Sequence, residues 1–243
     1  MEGPILVQGA MQVEANAFIE KLEQVQKINL DGYVFYKGLY KNAEVIFSVT
    51  KVGSMNSCIS TLLGVKEFKP KCIINQGVAG GETKDIHKRD LVIGTECKNT
   101  ASHESERKEL GEGSDPTRWD MITFYSDDNP EEKDIELKSD KKLIEIAKEI
   151  SNEYQYGNVH LGPLGSSDAW NKEVDFINHL HNSLGIISAD MESIGTYTVA
   201  KKYNVPIIGI RVISDNSILS EGYEREVASF AQEFVLKFIE KLI

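Results

Sequence analysis

Residues 186–216, IISADMESIGTYTVAKKYNVPIIGIRVISDN, constrain the fold more than any other part of the chain. Two short apolar runs lie within this stretch, and each ends in acids: Asp190 and Glu192 after the first, Asp215 after the second. The run from Val205 to Ser214 is β-branched and nearly continuous, which suits a strand covered on both faces rather than an amphipathic edge strand. Residues 191–203 between the runs read as a helix. Strand, helix, strand is an α/β unit, and ligands of open α/β sheets collect outside the strand ends. Carboxylates placed there are better candidates for chemistry than acids scattered over helix surfaces.

The rest of the chain extends the alternation. Residues 4–9 predict a strand, and 13–24 a helix with Val13, Ala17, Phe18 and Leu22 on one stripe. Residues 32–39 and 43–49 alternate as paired strands across a turn at 40–42. A helix is expected over 54–67 and a buried strand over 71–75. NQGVAGG (75–81) follows that strand at once, and its glycines let a ligand approach the backbone closely. Further expectations are a strand at 90–98, a helix at 139–154 capped near Ser139 and Asp140, a strand running into a loop over 159–171, a helix at 172–183 and a closing amphipathic helix at 221–242. The segment 99–138 is polar and broken by Gly111, Gly113, Pro116 and Pro130; long loops of this kind serve as lids or interfaces. The sum is a three-layer αβα sandwich around a central β-sheet, mixed because of the early hairpin. No linker-like tract or repeat divides the 243 residues, so a single domain over 1–243 is expected.

Composition excludes several functions. A net charge of −11 argues against a nucleic-acid partner, because phosphate binders concentrate Lys and Arg on one face. Cys58, Cys72 and Cys97 are an odd count without CxxC spacing, the pattern of reduced core thiols rather than a disulfide framework or zinc site. No run reaches the roughly 18 apolar residues of a membrane span, and the N-terminal residues lack a signal peptide's basic and apolar regions. A cytoplasmic protein without a membrane partner is expected. Neither Gly-x-Gly-x-x-Gly after a first strand nor a Walker pattern occurs, so NAD is disfavoured. No HExxH arrangement is present, and His179 and His181 on one helix would point about 200° apart, so no metal and no cofactor are expected.

Three acids remain for chemistry. Glu14 follows the turn at Gly9–Ala10, where a carboxylate could equally be a helix-dipole partner worth about 0.3–1 kcal/mol. Glu192 opens a helix and carries the same alternative. Asp215 ends a run too apolar for a surface strand, and Asn216 and Ser217 could cap the next element in its place. To donate a proton at neutral pH, an aspartate would need its ordinary pKa of about 3.9 raised by burial or a nearby carboxylate. Trp170, in the polar SSDAWN loop, either packs on the body of the fold or offers a stacking surface to a flat ligand.

VQGAMQVE (7–14), NQGVAGG (75–81), SSDAWN (166–171), ADME (189–192) and RVISD (211–215), in this order, resemble the 5′-methylthioadenosine/S-adenosylhomocysteine nucleosidases of the purine nucleoside phosphorylase superfamily. The resemblance spans nearly the whole chain and implies a nucleoside phosphorylase-like fold, a homodimer, and hydrolysis of the bond between adenine N9 and ribose C1′. By the same resemblance Asp215 would protonate adenine N7, Glu14 would activate water, and Glu192 would hold the ribose hydroxyls beside the Met191 backbone. Trp170 matches the usual Phe over the adenine, and the Asn171 backbone would read its Watson–Crick edge. Val52, Ala79, Gly80 and Ser214 would complete the substrate pocket. Asp190 falls to a structural role.

The chemistry agrees with that division of labour. Breaking an N-glycosidic bond develops positive charge on the sugar and negative charge on the leaving base, which calls for an acid at the base and carboxylates at the sugar. The chain departs from the family at Val78, often Ser or Thr, at Asp190, often Glu, and at Trp170 and Asn171, which replace Phe and an aliphatic residue. These changes touch the pocket, so methylthioadenosine, S-adenosylhomocysteine, 5′-deoxyadenosine and plain purine nucleosides all stay open as substrates. The alternatives are a phosphate-dependent purine nucleoside phosphorylase, which would need cationic groups near the first turn, and a nucleoside-binding protein with reduced turnover.

Overall fold

The computed structural model describes residues 3–122 and 137–243. Its strands are β1 (Ile5–Gly9), β2 (Glu23–Leu30), β3 (Tyr33–Tyr40), β4 (Ala43–Val49), β5 (Cys72–Gly81), β6 (Leu91–Asn99), β7 (His103–Glu104), β8 (Asp120–Met121), β9 (Leu137–Lys138), β10 (Val159–Ser166), β11 (Ser188–Asp190) and β12 (Ile207–Asp215). The helices are α1 (Asn16–Ile19), α2 (Ser54–Phe68), α3 (Lys141–Glu149), α4 (Val174–Leu184), α5 (Ser193–Lys202) and α6 (Ala228–Leu242).

The expected mixed sheet is present. β1 lies parallel between β4 and β5, and β12 runs parallel to β5 on its far side. β12 pairs antiparallel with β6, which runs parallel to β10, and β10 runs parallel to β11. β11 then pairs back onto β5 in antiparallel sense, Ser188 opposite Gly81 and Ala189 opposite Gly80. The sheet therefore curls into a ring at this end. At the other edge β2, β3 and β4 form an antiparallel meander.

Strand alternation assigns the two helical layers. Ile5, Val7, Phe47 and Ile74 point to the side covered by α1, α3 and α6, where Phe18, Leu143, Phe234 and Phe238 are buried. Leu6, Ile46 and Ile73 point to the opposite side, covered by α2 and α5 through Val65, Tyr197 and Ala200. Such two-sided burial is what the continuous apolar runs require. α2 and α5 approach closely: a Cβ on Gly195 would stand 2.2 Å from Ser54 O, so only glycine permits the contact. Asp140 caps α3 as expected, accepting from the amides of Lys142 and Leu143 at 2.9 and 3.1 Å.

Two local expectations are corrected. The helix expected over 13–24 is a 3-10 turn at Gln12–Glu14 followed by the single turn of α1, and the chain then enters β2. EQVQKINL pairs with β3 at the sheet edge and is mostly exposed, so its alternation is too polar to announce a strand. The strand expected over 71–75 does not end before the glycines of NQGVAGG, which continue β5 to Gly81. Of the segment 99–138, the short pair β7–β8 and a 3-10 turn at Pro116–Arg118 are described. A lid or interface role for the remainder falls on 123–136, outside the described residues.

Candidate active site

β1, β4, β5 and β12 are mutually parallel, and their carboxyl ends converge on one cavity of about 250 Å³. Glu14 enters its lining just after β1, Val52 after β4, Ala79, Gly80 and Glu82 at the end of β5, and Ser214 and Asp215 at the end of β12. The turn between β11 and α5 adds Met191 and Glu192, and the loop after β10 adds Trp170 and Asn171. Every residue expected at the site therefore borders the same space. The β5–β12 register shifts between Ile213 and Asp215, which brings Asp215 opposite Gly80. Such irregularities re-aim side chains beside functional sites.

Glu14 is buried, and two backbone amides fix its carboxylate: Met11 N donates to Oε2 at 2.9 Å and Val78 N to Oε1 at 3.0 Å. Gly77 makes the second contact possible, because a Cβ there would stand 2.6 Å from Glu14 Oε1. Burial raises the Glu14 pKa above the ordinary carboxylate range against the opposing pull of these amides and of the Arg211 charge. Glu192 Oε1 accepts from Gly53 N at 2.9 Å, which ties the start of α5 to the turn before α2. Burial first, then the Asp190 and Glu14 charges, push Glu192 up to about 7.

Asp215 accepts on both oxygens, from Ser214 Oγ at 2.7 Å and from Trp170 Nε1 at 3.3 Å. Trp170 is 57% exposed and meets Tyr223 edge-on at a centroid distance of 5.7 Å, so the two rings stand over the mouth of the cavity. Asp190 is a tie inside the fold. Its Oδ1 accepts from Ser166 Oγ and from the amides of Glu192 and Ser193, and its Oδ2 accepts from Ser193 Oγ and Arg211 Nε.

Sequence reading missed three residues here. Glu82 borders the cavity one position past the glycines, and burial with the Asp215 charge pushes it up to about 8. Tyr223 sits in a polar loop without a motif. Gln76 is buried beside Glu14: its Nε2 donates to Glu14 O at 2.8 Å, while its Oε1 has no partner. That oxygen's residue borders a small cavity of about 10 Å³, shared with Glu14, Thr50, Glu192 and Arg211. A space of that size takes about one water molecule.

Among the described residues no lysine or arginine lines the main cavity. Arg211 borders the small one, but its nitrogens already serve Asp190, Asn75, Ile210 and Ser193. Among the described residues no group of three or more His, Cys, Asp and Glu side chains is placed to hold a metal ion, and no helix is long and apolar enough to cross a membrane.

The sequence pattern of the phosphorylase superfamily matches residues 4–242. The chain belongs to that superfamily. A 5′-methylthioadenosine/S-adenosylhomocysteine nucleosidase from Bacillus licheniformis is 25% identical over 244 residues, covering 98% of this chain and 99% of the relative. The Helicobacter pylori mutant nucleosidase with 5′-methylthioadenosine in its active site superposes with a TM-score of 0.81 at 24% identity, covering 99% of both chains. Futalosine hydrolase of the same organism gives 0.80 at 24% identity, with 98% of this chain and 97% of that one covered. These superpositions show the same fold over nearly the whole chain.

Proposed function

We propose that the protein hydrolyses the N-glycosidic bond of 5′-methylthioadenosine, S-adenosylhomocysteine or both, releasing adenine and the 5-thio-substituted ribose. The observation that carries this reading is the small cavity beside Glu14: it has the size of one water, a buried acceptor on Gln76, and Arg211 already fully engaged. A phosphorylase must hold a multiply charged anion at the sugar face, and the carboxylates of Glu14 and Glu192 there would repel it. Full-length likeness to the Bacillus licheniformis nucleosidase points the same way.

In this reading Glu14 takes a proton from water as the water oxygen attacks C1′, and its two amide contacts hold it in the attacking geometry. Glu192 holds the ribose hydroxyls beside the Met191 backbone. Asp215 meets N7 of the purine and passes it a proton. Trp170 lies on the base, the Asn171 backbone reads its edge, and Val52, Ala79, Gly80 and Ser214 shape the walls. The residues act without a cofactor or metal.

A homodimer in the cytoplasm completes the reading. Val52, Met55 and Ile59 near the start of α2 are 47, 78 and 46% exposed close to the cavity, an apolar edge that a second subunit would cover. The decisive experiment is a substrate panel in phosphate-free buffer, with methylthioadenosine, S-adenosylhomocysteine, 5′-deoxyadenosine and adenosine followed by release of free base. Release from the thio-substituted compounds supports the reading; release only after phosphate is added would establish the phosphorylase instead. Tight nucleoside binding with no product would mark a binding protein.

A further inference from the structure

Among the described acids of the cavity lining the hydrolytic scheme uses Glu14, Glu192 and Asp215, and Asp190 is tied to Arg211; Glu82 is left without a task or a tie. It follows the last residue of β5, it is 6% exposed, and its Oε1 lies 3.8 Å from the point where a Cβ on Gly80 would stand. Asp215 Oδ2 lies 3.8 Å from the same point, so the two carboxyls share one space that the glycine leaves open. Their hydrogen bonding differs. Asp215 is an acceptor on both oxygens, from Ser214 and Trp170. Among the described residues no donor meets the Glu82 carboxyl.

A buried carboxylate without donors costs far more than its neutral form. The other titratable groups around this space are Tyr223 in the loop after β12, Asp190 and Glu192 at the end of β11, and Glu14 after β1. Of these cavity acids it is Asp215 whose charge adds to burial in favouring a proton on Glu82. The pair is thus asymmetric: one carboxyl is arranged to accept, and its neighbour is arranged to keep a proton.

We propose that Glu82 stores the proton that Asp215 delivers to the leaving purine. This rests on the hydrolase reading above. Glu82 gives its carboxyl proton to Asp215, directly or across one water, and Asp215 gives a proton to N7 while the C1′–N9 bonding pair stays with the purine. Water supplies the oxygen that bonds to C1′, and its proton goes to Glu14. The cycle closes when Glu14 loses that proton to solvent and Glu82 regains one. Glu82 acts through Asp215, so it is a positioning residue for the proton rather than a group that attacks the sugar.

The test compares two leaving groups on the whole protein. Methylthioadenosine needs a proton on its base, whereas the 4-nitrophenyl glycoside of 5-methylthioribose releases a stable phenolate without one. In the wild type, kcat for methylthioadenosine should fall as pH rises through about 8, and kcat for the nitrophenyl glycoside should not. Glu82→Gln should lose about a hundredfold in kcat on methylthioadenosine while staying within about threefold on the nitrophenyl glycoside. An active wild type with the same basic limb for both compounds overturns the proposal, and needs no variant to fold. So does Glu82→Gln with undiminished kcat on methylthioadenosine, or with an equal loss on both. A wild type inactive on both compounds would instead refute the hydrolase reading itself.

Discussion

Asp190 Oδ2 accepts a hydrogen bond from Arg211 Nε at 2.9 Å, with both side chains buried. This ion pair joins the end of β11 to the middle of β12, the two apolar runs whose acids define the site. Arg211 also reaches Asn75 of β5 and Ser193 of α5, so one guanidinium fixes the relative positions of three strands and the helix that carries Glu192. The Asp190 charge in turn helps to raise Glu192.

Removing one partner of such a pair leaves the other charge buried alone. Asp190→Asn should therefore lower the unfolding free energy by about 3–5 kcal/mol. Urea unfolding followed by circular dichroism reads this directly. A change below about 1 kcal/mol would mean that the pair is replaceable, as exposed pairs are.

Glu14→Gln keeps the size of the side chain and removes the base. The expected loss in kcat is about 10²- to 10⁴-fold, with KM for methylthioadenosine little changed. Steady-state kinetics with matched circular dichroism spectra checks this. Near-full activity would end the water-activating role of Glu14.

Stability should respond to pH around neutrality. Glu192 and Glu82 have folded-state pKa values raised to about 7 and about 8, above the ordinary 4.5 that applies when the chain is unfolded. Raised carboxyls bind protons more tightly in the folded state, so their contribution is full below the unfolded value and is lost as pH rises through the folded one. The contribution of these two groups to the melting temperature should accordingly decline from about pH 4.5 to about 8, and Glu82→Gln should flatten the part of the decline above about pH 7. Asp190 is shifted the other way, chiefly by Arg211 against the cost of burial, and its contribution is lost only as pH falls through the acid range. A melting temperature that rises from neutral to alkaline pH would contradict the assignment.

Trp170 separates stacking from hydrogen bonding. Base–aromatic stacking is worth about 1–3 kcal/mol, so Trp170→Ala should raise KM by about 5- to 150-fold. Trp170→Phe keeps a ring over the base and removes only the Nε1 contact to Asp215, so its KM should stay close to the wild-type value. Equal losses in both variants would assign the effect to the Asp215 contact.

Much of this was legible in the sequence because burial writes itself into apolar runs. IIGIRVISD could only be an inner strand, and its terminal Asp215 had to open at the sheet end. The acids were separable by role only through the motif order, since spacing alone left Glu14 and Glu192 as dipole partners. β2 was illegible because an exposed edge strand needs no apolar face. Gln76, Glu82 and Tyr223 were illegible because their roles depend on which strands lie side by side, and the return of β11 onto β5 has no local signature. Arg211 could be read as part of RVISD, but its service to Asp190, Asn75 and Ser193 could not.

Hydrolysis by a water beside Glu14 is the central claim, and solvent isotope labelling tests it most directly. Methylthioadenosine would be incubated with the protein in phosphate-free buffer made with ¹⁸O-water, and the products examined at once by mass spectrometry. The account predicts free adenine together with methylthioribose that carries one ¹⁸O at C1′. Adenine release that waits for phosphate, with a sugar 1-phosphate as the coproduct, would contradict it.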